Sequence, residues 1–342
     1  SALRLETELE FLLPENPVMV FPDWETLPYE HFSPHQDIIS ARLATLNTLK
    51  KEQQSVLIVP VSTLMLRTAP ASFIYGSTLN FKVGDTLDTH TLRDNLEQAG
   101  YLHVQQVMEH GEYAIRGSIV DLYPMGSPHP FRLDFFDDEL DSIRLFDVES
   151  QRSDEKVDKI ELLPAHEFPT NDADIERFRI NYREHFGASS EQDSIYMQVT
   201  KGTWPAGIEY YMPLFFDGLA TIFDYLPSNT TFMHFGDIEH AADQFWHDVN
   251  VRYENRRVDP LRPLLEPVKL YQSVNELFGE FAKYARIRLS QAKLGTKAGH
   301  TNLASKELPN VRIDHKLHEP YQGLIDYVAS EKKQKGRVLL SV

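Results

Sequence analysis

The fold of this chain is decided by residues 111–147, where successive strands can be followed side chain by side chain. The stretch reads Gly-Glu-Tyr-Ala-Ile-Arg-Gly-Ser-Ile-Val-Asp-Leu-Tyr-Pro at 111–124 and Phe-Arg-Leu-Asp-Phe-Phe-Asp-Asp-Glu-Leu-Asp-Ser-Ile-Arg-Leu-Phe-Asp at 131–147. A strand turns successive side chains to opposite faces. Short alternating runs separated by turn residues predict a mostly antiparallel sheet.

From Phe131 onward the alternation separates an apolar face from a polar one. The predicted core face consists of Phe131, Leu133 and Phe135. The opposite face is polar except for Phe136, which stands near Arg132. A large aromatic side chain beside an arginine on a wet face is typical of an interface anchor, although single exposed apolar residues are also common in monomers.

The preceding run, read as one continuous strand, adds a second arginine. Alternation then assigns Arg116 and Ser118 to one face, and Ile115, Gly117 and Ile119 to the other. We expect Arg116 and Arg132 to point into solvent together with Phe136. The pattern predicts a surface on which a partner protein docks.

Three further segments accompany this stretch. They are Asp23-Trp24-Glu25-Thr26-Leu27-Pro28-Tyr29 with Phe32-Ser33-Pro34-His35-Gln36-Asp37 behind it, Leu162-Leu163-Pro164-Ala165-His166-Glu167-Phe168, and Pro205-Ala206-Gly207-Ile208-Glu209-Tyr210. In this order the segments resemble the UvrB-homology module of the bacterial transcription-repair coupling factors, the Mfd family. The resemblance extends from about residue 23 to about residue 210.

This resemblance implies a function without catalysis. Proteins of the family carry a translocase motor elsewhere in the chain and use this region to recruit the excision-repair protein UvrA. The family's docking surface corresponds to Arg116, Arg132 and Phe136, which the alternation independently places on the wet face. RNA polymerase is expected to bind other domains of the full-length protein.

Composition limits the kinds of site that the chain can carry. The absence of cysteine excludes disulfides, cysteine-ligated zinc, iron–sulfur clusters and thiol catalysis. The net charge is −17, and neither dense basic stretch, 252–257 or 332–337, offsets it. Because duplex binding needs a basic surface, we expect little or no direct DNA binding. No apolar run approaches the roughly 18 residues of a membrane span, and no secretory leader is evident, so we expect a cytoplasmic protein without membrane contact.

The pattern of elements predicts an interrupted α/β domain. Helices alternate with apolar strands in residues 1–77, as in a parallel sheet, and a helix-rich pattern returns at 164–270. Together these form a degenerate nucleotide-binding-type parallel-sheet domain, interrupted by an inserted α+β module at 78–163. The remaining predictions are a helix and linker at 271–310 and the start of a further α/β domain at 311–342, with a strand at 338–342. Since the chain begins at Ser1, without methionine, we expect it to be part of a longer polypeptide.

No catalytic, cofactor or metal site is predicted. A phosphate-binding loop of the form Gly-x4-Gly-Lys-Ser/Thr does not occur. The acidic residues around 134–141 lack the spacing of a calcium loop and are interpreted as a solvated hairpin turn. His31 and His35 have the spacing of a helical zinc pair, but Pro34 between them argues against a helix. Asp237 is interpreted as a surface acid.

Two functions of different classes therefore remain. The favoured hypothesis is a non-catalytic interaction region that recruits UvrA to stalled transcription complexes for nucleotide excision repair. The alternative is a DNA-binding ATPase domain of UvrB type, which would need a phosphate loop and a hairpin that grips DNA. The connection from Trp24 to Gln36 is too short for such a hairpin. Assays of ATP turnover and duplex binding discriminate between the two hypotheses.

Overall fold

The computed structural model describes residues 2–51, 54–290, 292–304, 311–313 and 318–333. The chain divides into two compact units, Ser1–Leu289 and Ser290–Val342. The strand expected at 338–342 lies outside the described residues. None of the described helices is both long and apolar enough to cross a membrane.

Helices and strands are mixed along the chain. The described helices are α1 (Ala2–Leu12), α2 (Gln36–Lys51), α3 (Val61–Met65), α4 (Ala71–Gly76), α5 (Thr89–Gln98), α6 (Asp172–Phe186), α7 (Ile195–Thr200), α8 (Ile238–Arg256), α9 (Pro267–Leu270), α10 (Val274–Phe281) and α11 (Gln322–Lys333). The described strands are β1 (Val18–Val20), β2 (Val56–Ile58), β3 (Leu79–Lys82), β4 (Leu102–His103), β5 (Glu112–Arg116), β6 (Ile119–Leu122), β7 (Phe131–Phe136), β8 (Glu139–Phe146), β9 (Ser153–Val157), β10 (Lys159–Leu162), β11 (Thr231–Phe235) and β12 (Ala285–Leu289). This mixture confirms the α/β class.

The largest sheet has six strands in the order β4-β5-β6-β7-β8-β9. All neighbouring strands are antiparallel except β4 and β5. Two-residue connections join β5 to β6 and β7 to β8, and Gly117 and Asp137 adopt left-handed φ angles of 64° and 53° there. One face of the sheet is buried through Val120, Leu133 and Ile143, and these side chains belong to the same hydrophobic core as the apolar side of α5.

The ends of the module are held together by a separate pair of strands. β3 enters the module and pairs antiparallel with β10, which leaves it, so that Phe81 lies opposite Ile160. Outside the module, β1 pairs parallel with β2, and β11 pairs parallel with β12. In the part of the chain that the structure describes, the parallel strands outside the module thus form two separate pairs. The proposed domain boundaries remain predictions.

A buried ion pair links the segments before and after the module. Arg42 on α2 and Glu167, which follows β10, are both essentially inaccessible to solvent. Arg42 Nε donates to Glu167 Oε1 over 2.9 Å, and Trp24 Nε1 donates to Glu167 Oε2 over 2.7 Å. Arg42 Nη1 also donates to the carbonyl of Pro22 over 2.7 Å, and its guanidinium lies 4.2 Å from the ring centre of Phe21. Both charges are therefore compensated inside the core.

Removing the negative charge of this pair should strongly destabilise the protein. Glu167→Gln leaves the Arg42 cation buried without an anion, and breaking a buried pair in this way costs about 3–5 kcal/mol. The matched control is Glu161→Gln, which breaks the half-exposed pair between Glu161 and Lys51 and should cost less than about 1 kcal/mol. Urea unfolding measures both. Equal losses would contradict the assignment of Arg42–Glu167 as the central pair.

A second buried carboxyl lies where the segment 205–210 meets the loop after β1. Ser33 Oγ donates to Glu209 Oε2 over 2.8 Å and accepts from the Gly207 backbone N–H over 3.0 Å. Gly207 has a φ of 80°, and a Cβ there would lie 2.9 Å from the carbonyl oxygen of Glu30, so glycine is required. Burial of the carboxyl raises the pKa of Glu209 to about 7.

This burial predicts a loss of stability as the pH rises from about 4.5 to about 7. The folded state keeps a proton on Glu209 that the unfolded state releases above its ordinary pKa of 4.5, so the contribution is fully present at low pH and is lost as the pH rises through about 7. Relative to Glu209→Gln, the wild-type free energy of unfolding should fall by about 2–3 kcal/mol between pH 5 and pH 8. Urea midpoints at both pH values measure it. A constant difference would refute the assignment.

Candidate protein-binding site

The three predicted site residues lie on one face of the six-stranded sheet. Arg116 ends β5 and is the cross-strand neighbour of Ile119, which is in turn opposite Asp134. Cross-strand neighbours point to the same face. Arg132, Asp134 and Phe136 occupy every second position of β7 and therefore lie on this same side. We call this face, defined by Arg116, Ile119, Arg132, Asp134 and Phe136, the docking face.

One assignment of the sequence analysis is wrong. Arg116 and Ser118 were expected on one face of a continuous strand, and Ile119 on the other. Instead, Gly117 and Ser118 form the connection between β5 and β6, so Arg116 pairs with Ile119 across the hairpin. The two-residue turn reverses the chain, and the alternation starts again after it. Ile119 is therefore a half-buried member of the docking face.

The alternation along β7 is confirmed. The side chain of Phe136 is 75% exposed, whereas Phe135 is 4% exposed and Leu133 is fully buried. Phe136 has no aromatic neighbour or cation–π partner among the described residues. It is a large apolar side chain presented to solvent at the end of a paired strand, next to the turn between β7 and β8.

The expectation that Arg132 points into solvent is wrong. Its side chain is only 18% exposed. Nε and Nη2 donate to the two oxygens of Asp121 over 2.6 and 2.9 Å, and Nη1 donates to the carbonyl of Gln151 and to Ser153 Oγ. The guanidinium also lies 5.2 Å from the ring centre of Phe146. The hydrogen bond to Asp121 raises the pKa of Arg132. Arg132 is thus part of the packed structure of the module.

Arg116 has a different environment. Its Nη2 group donates to Asp121 Oδ2, and the Arg116 side chain is 48% exposed. No other described residue accepts from Arg116. The guanidinium is therefore anchored at one end, while the remaining N–H groups face solvent.

Asp121 is the residue of this site that the sequence analysis missed. It is 1% exposed and receives both arginines. An aspartate between Val120 and Leu122 in an apolar strand is the signal that could have identified it, because a buried carboxylate requires a cationic or hydrogen-bonding partner. Its cross-strand neighbour Arg132 supplies that partner.

The docking face has a covered half and an open half. A small hydrophobic cluster of Val107, Ala114 and Phe146 covers one half, with Val104, Tyr123 and Val148 packed against it. The open half contains Arg116, Ile119, Asp134 and Phe136, and exposed acids border it at 137–139. A surface that combines an exposed aromatic side chain with charged residues can bind a protein partner.

The remaining candidates from the sequence analysis do not assemble into a site. Within the described ranges no group of three or more His, Asp or Glu side chains could hold a metal ion. Asp237 caps α8 and accepts from the His240 backbone N–H over 3.1 Å. Of the basic stretch 252–257, Arg252 and Arg256 form ion pairs with Glu30. Residues 334–337 of the other basic stretch lie outside the described part.

Comparisons with known proteins bear on the family of this chain. Residues 79–168 match the UvrB interaction domain family. The chain is 52% identical over 325 residues to the transcription-repair-coupling factor of Escherichia coli strain K12. The aligned residues make up 95% of this chain and 28% of that protein. The chain belongs to the transcription-repair coupling factor family over this region. The recognition made from the sequence is confirmed.

A second relative supports the same assignment. The transcription-repair-coupling factor of Haemophilus influenzae is 47% identical over 343 residues, which cover 100% of this chain and 30% of the relative. The chain therefore spans less than a third of the length of these transcription-repair coupling factors. The matched domain begins at β3 and includes the whole docking face.

Neighbouring phenylalanines of β7 should respond in opposite ways to truncation. Phe135→Ala should lower the free energy of unfolding by about 3–5 kcal/mol, because it leaves a cavity in the core. Phe136→Ala should change it by no more than about 0.5 kcal/mol, since the side chain is exposed. Chemical denaturation of the two variants measures this contrast. The reverse order would show that the register of β7 is inverted.

The two arginines should likewise differ in their effect on folding. Arg132→Ala leaves Asp121 buried with only Arg116 as a partner, and we expect a loss of about 3–5 kcal/mol. Arg116→Ala leaves the Asp121–Arg132 pair intact and should cost less than about 1 kcal/mol. Thermal and urea unfolding measure both variants. An Arg132→Ala variant as stable as the wild type would contradict the structural role of Arg132.

Proposed function

We propose that the open half of the docking face binds UvrA, and that this chain is the interaction region through which a transcription-repair coupling factor recruits UvrA to stalled transcription complexes. The observation that carries the proposal is the exposed Phe136 on the same sheet face as the half-exposed Arg116. Both lie within the residues that match the UvrB interaction domain family.

The chemistry of the surface supports binding rather than catalysis. Aromatic and arginine side chains are enriched among the residues that dominate interface energies. Arg116 and Phe136 each project from a pair of strands joined by a two-residue connection. Because the backbone is already ordered there, docking costs little backbone entropy. An arginine with free N–H groups can recognise a carboxylate or a carbonyl group on the partner.

Several features of the full-length protein belong to the same proposal. The interaction region itself has no catalytic role, and the ATP-dependent translocase and the contacts with RNA polymerase lie in other domains. The region makes little direct contact with DNA, because its net charge is −17 and duplex binding depends on neutralised phosphates. It acts in the cytoplasm.

Truncation of the exposed residues should weaken the capture of UvrA. Phe136→Ala and Arg116→Ala should each cost about 1–4 kcal/mol of binding free energy, the range of interface hot spots. Biolayer interferometry of the 342-residue chain on immobilised UvrA measures the loss.

The matched control is Phe235→Ala. Phe235 is also an exposed phenylalanine on a strand, but it lies on β11, outside the module. Its truncation should leave the binding unchanged. If Phe136→Ala binds UvrA as tightly as the wild type, the docking face is not the binding surface.

A further inference from the structure

The two arginines of the docking face differ in how many donors they can offer to a partner. Arg132 uses four of its five N–H groups within the module, in bonds to Asp121, Gln151 and Ser153. Recognition of a carboxylate by arginine depends on two parallel N–H groups on one side of the guanidinium. Arg132 therefore has no such pair available.

Arg116 retains the donors that Arg132 lacks. It makes a single ion pair, to Asp121, and about half of its side chain is exposed. A free arginine side chain carries about 2 kcal/mol of rotamer entropy, which docking would have to remove. The bond to Asp121 restricts the side chain before the partner arrives, and such pre-organisation favours binding.

Asp121 can hold Arg116 only because its own position is fixed. It lies in β6 between the buried Val120 and Leu122, and the cross-strand Arg132 binds both of its oxygens. Arg132 is fixed in turn by the backbone of Gln151 and by Ser153. The three charged groups thus form a chain that runs from the packed half of the face to the exposed guanidinium.

We propose that Asp121 and Arg132 are positioning residues for docking, and that Arg116 is the one of the two arginines that contacts the partner. This inference rests on the proposed function and deepens it. Loss of Asp121 weakens binding because the Arg116 guanidinium is released, and loss of Arg132 weakens it because Asp121 is no longer fixed in place; neither residue touches UvrA.

Double-mutant cycles with the 342-residue chain and immobilised UvrA test the proposal. Asp121→Asn and Arg132→Met are each measured with Arg116 present and with Arg116→Ala. With Arg116 present, each should weaken binding about tenfold. In the Arg116→Ala background, each should weaken it by less than about twofold, because residues that act through a shared group are not additive. A merely structural role would give equal losses in both backgrounds.

Folding is checked for every variant by circular dichroism and urea unfolding. If Asp121→Asn does not fold, the double variant Asp121→Leu/Arg132→Met replaces it, because exchanging a buried pair for apolar residues of similar size is often neutral for stability. It should show the same dependence on Arg116.

The possible outcomes separate the two proposals. A full loss for Arg132→Met in the Arg116→Ala background would show that Arg132 acts independently of Arg116 and would overturn the inference alone. Wild-type binding by a folded Asp121→Asn variant would do the same. A wild-type chain that does not bind UvrA would overturn the proposed function, and this inference with it.

Discussion

The structure depends on one buried charge pair, Arg42 with Glu167. Neither group could remain charged in the core alone, because the desolvation of an isolated ion costs several kcal/mol. The pair therefore requires that α2 and the segment after β10 come together, along with the Trp24 indole that completes the carboxylate's partners. The segments joined in this way lie on either side of the inserted module in sequence. These two flanking segments, here called the framework, are therefore held to each other.

The sequence segments that carried the family resemblance owe their pattern to this framework. Trp24 and Glu167 come from two different segments and share a hydrogen bond. Tyr210, from a third, packs against Trp24 and Tyr29 at ring-centre distances of 5.6 Å. These residues hold the core together and do not form the docking face. The family signature in this chain therefore reports mainly on the framework, while the predicted interaction lies on the module's sheet.

Much of the fold could be predicted from periodicity, and the failures have physical causes. The helices α2, α6 and α8 follow their apolar stripes, and β7 follows strict alternation. β9, Ser153–Val157, gives no such signal, because Val157 is the only apolar residue among its five. At the site, alternation identified Phe136 as exposed. It could not show that β5 ends at Arg116 and that a hairpin follows at Gly117. It also could not show that Arg132 lies against Asp121, since cross-strand pairing is absent from the local sequence.

The pairing of β3 with β10 has a consequence for how such a protein can change over time. Leu79 and Leu162 are opposite each other, so the chain leaves the framework and returns to it at neighbouring points, about one strand spacing apart. A segment connected in this way can be acquired, exchanged or lost in one genetic step without re-routing the surrounding chain. The docking face and its supporting charges would be transferred together as one inherited unit.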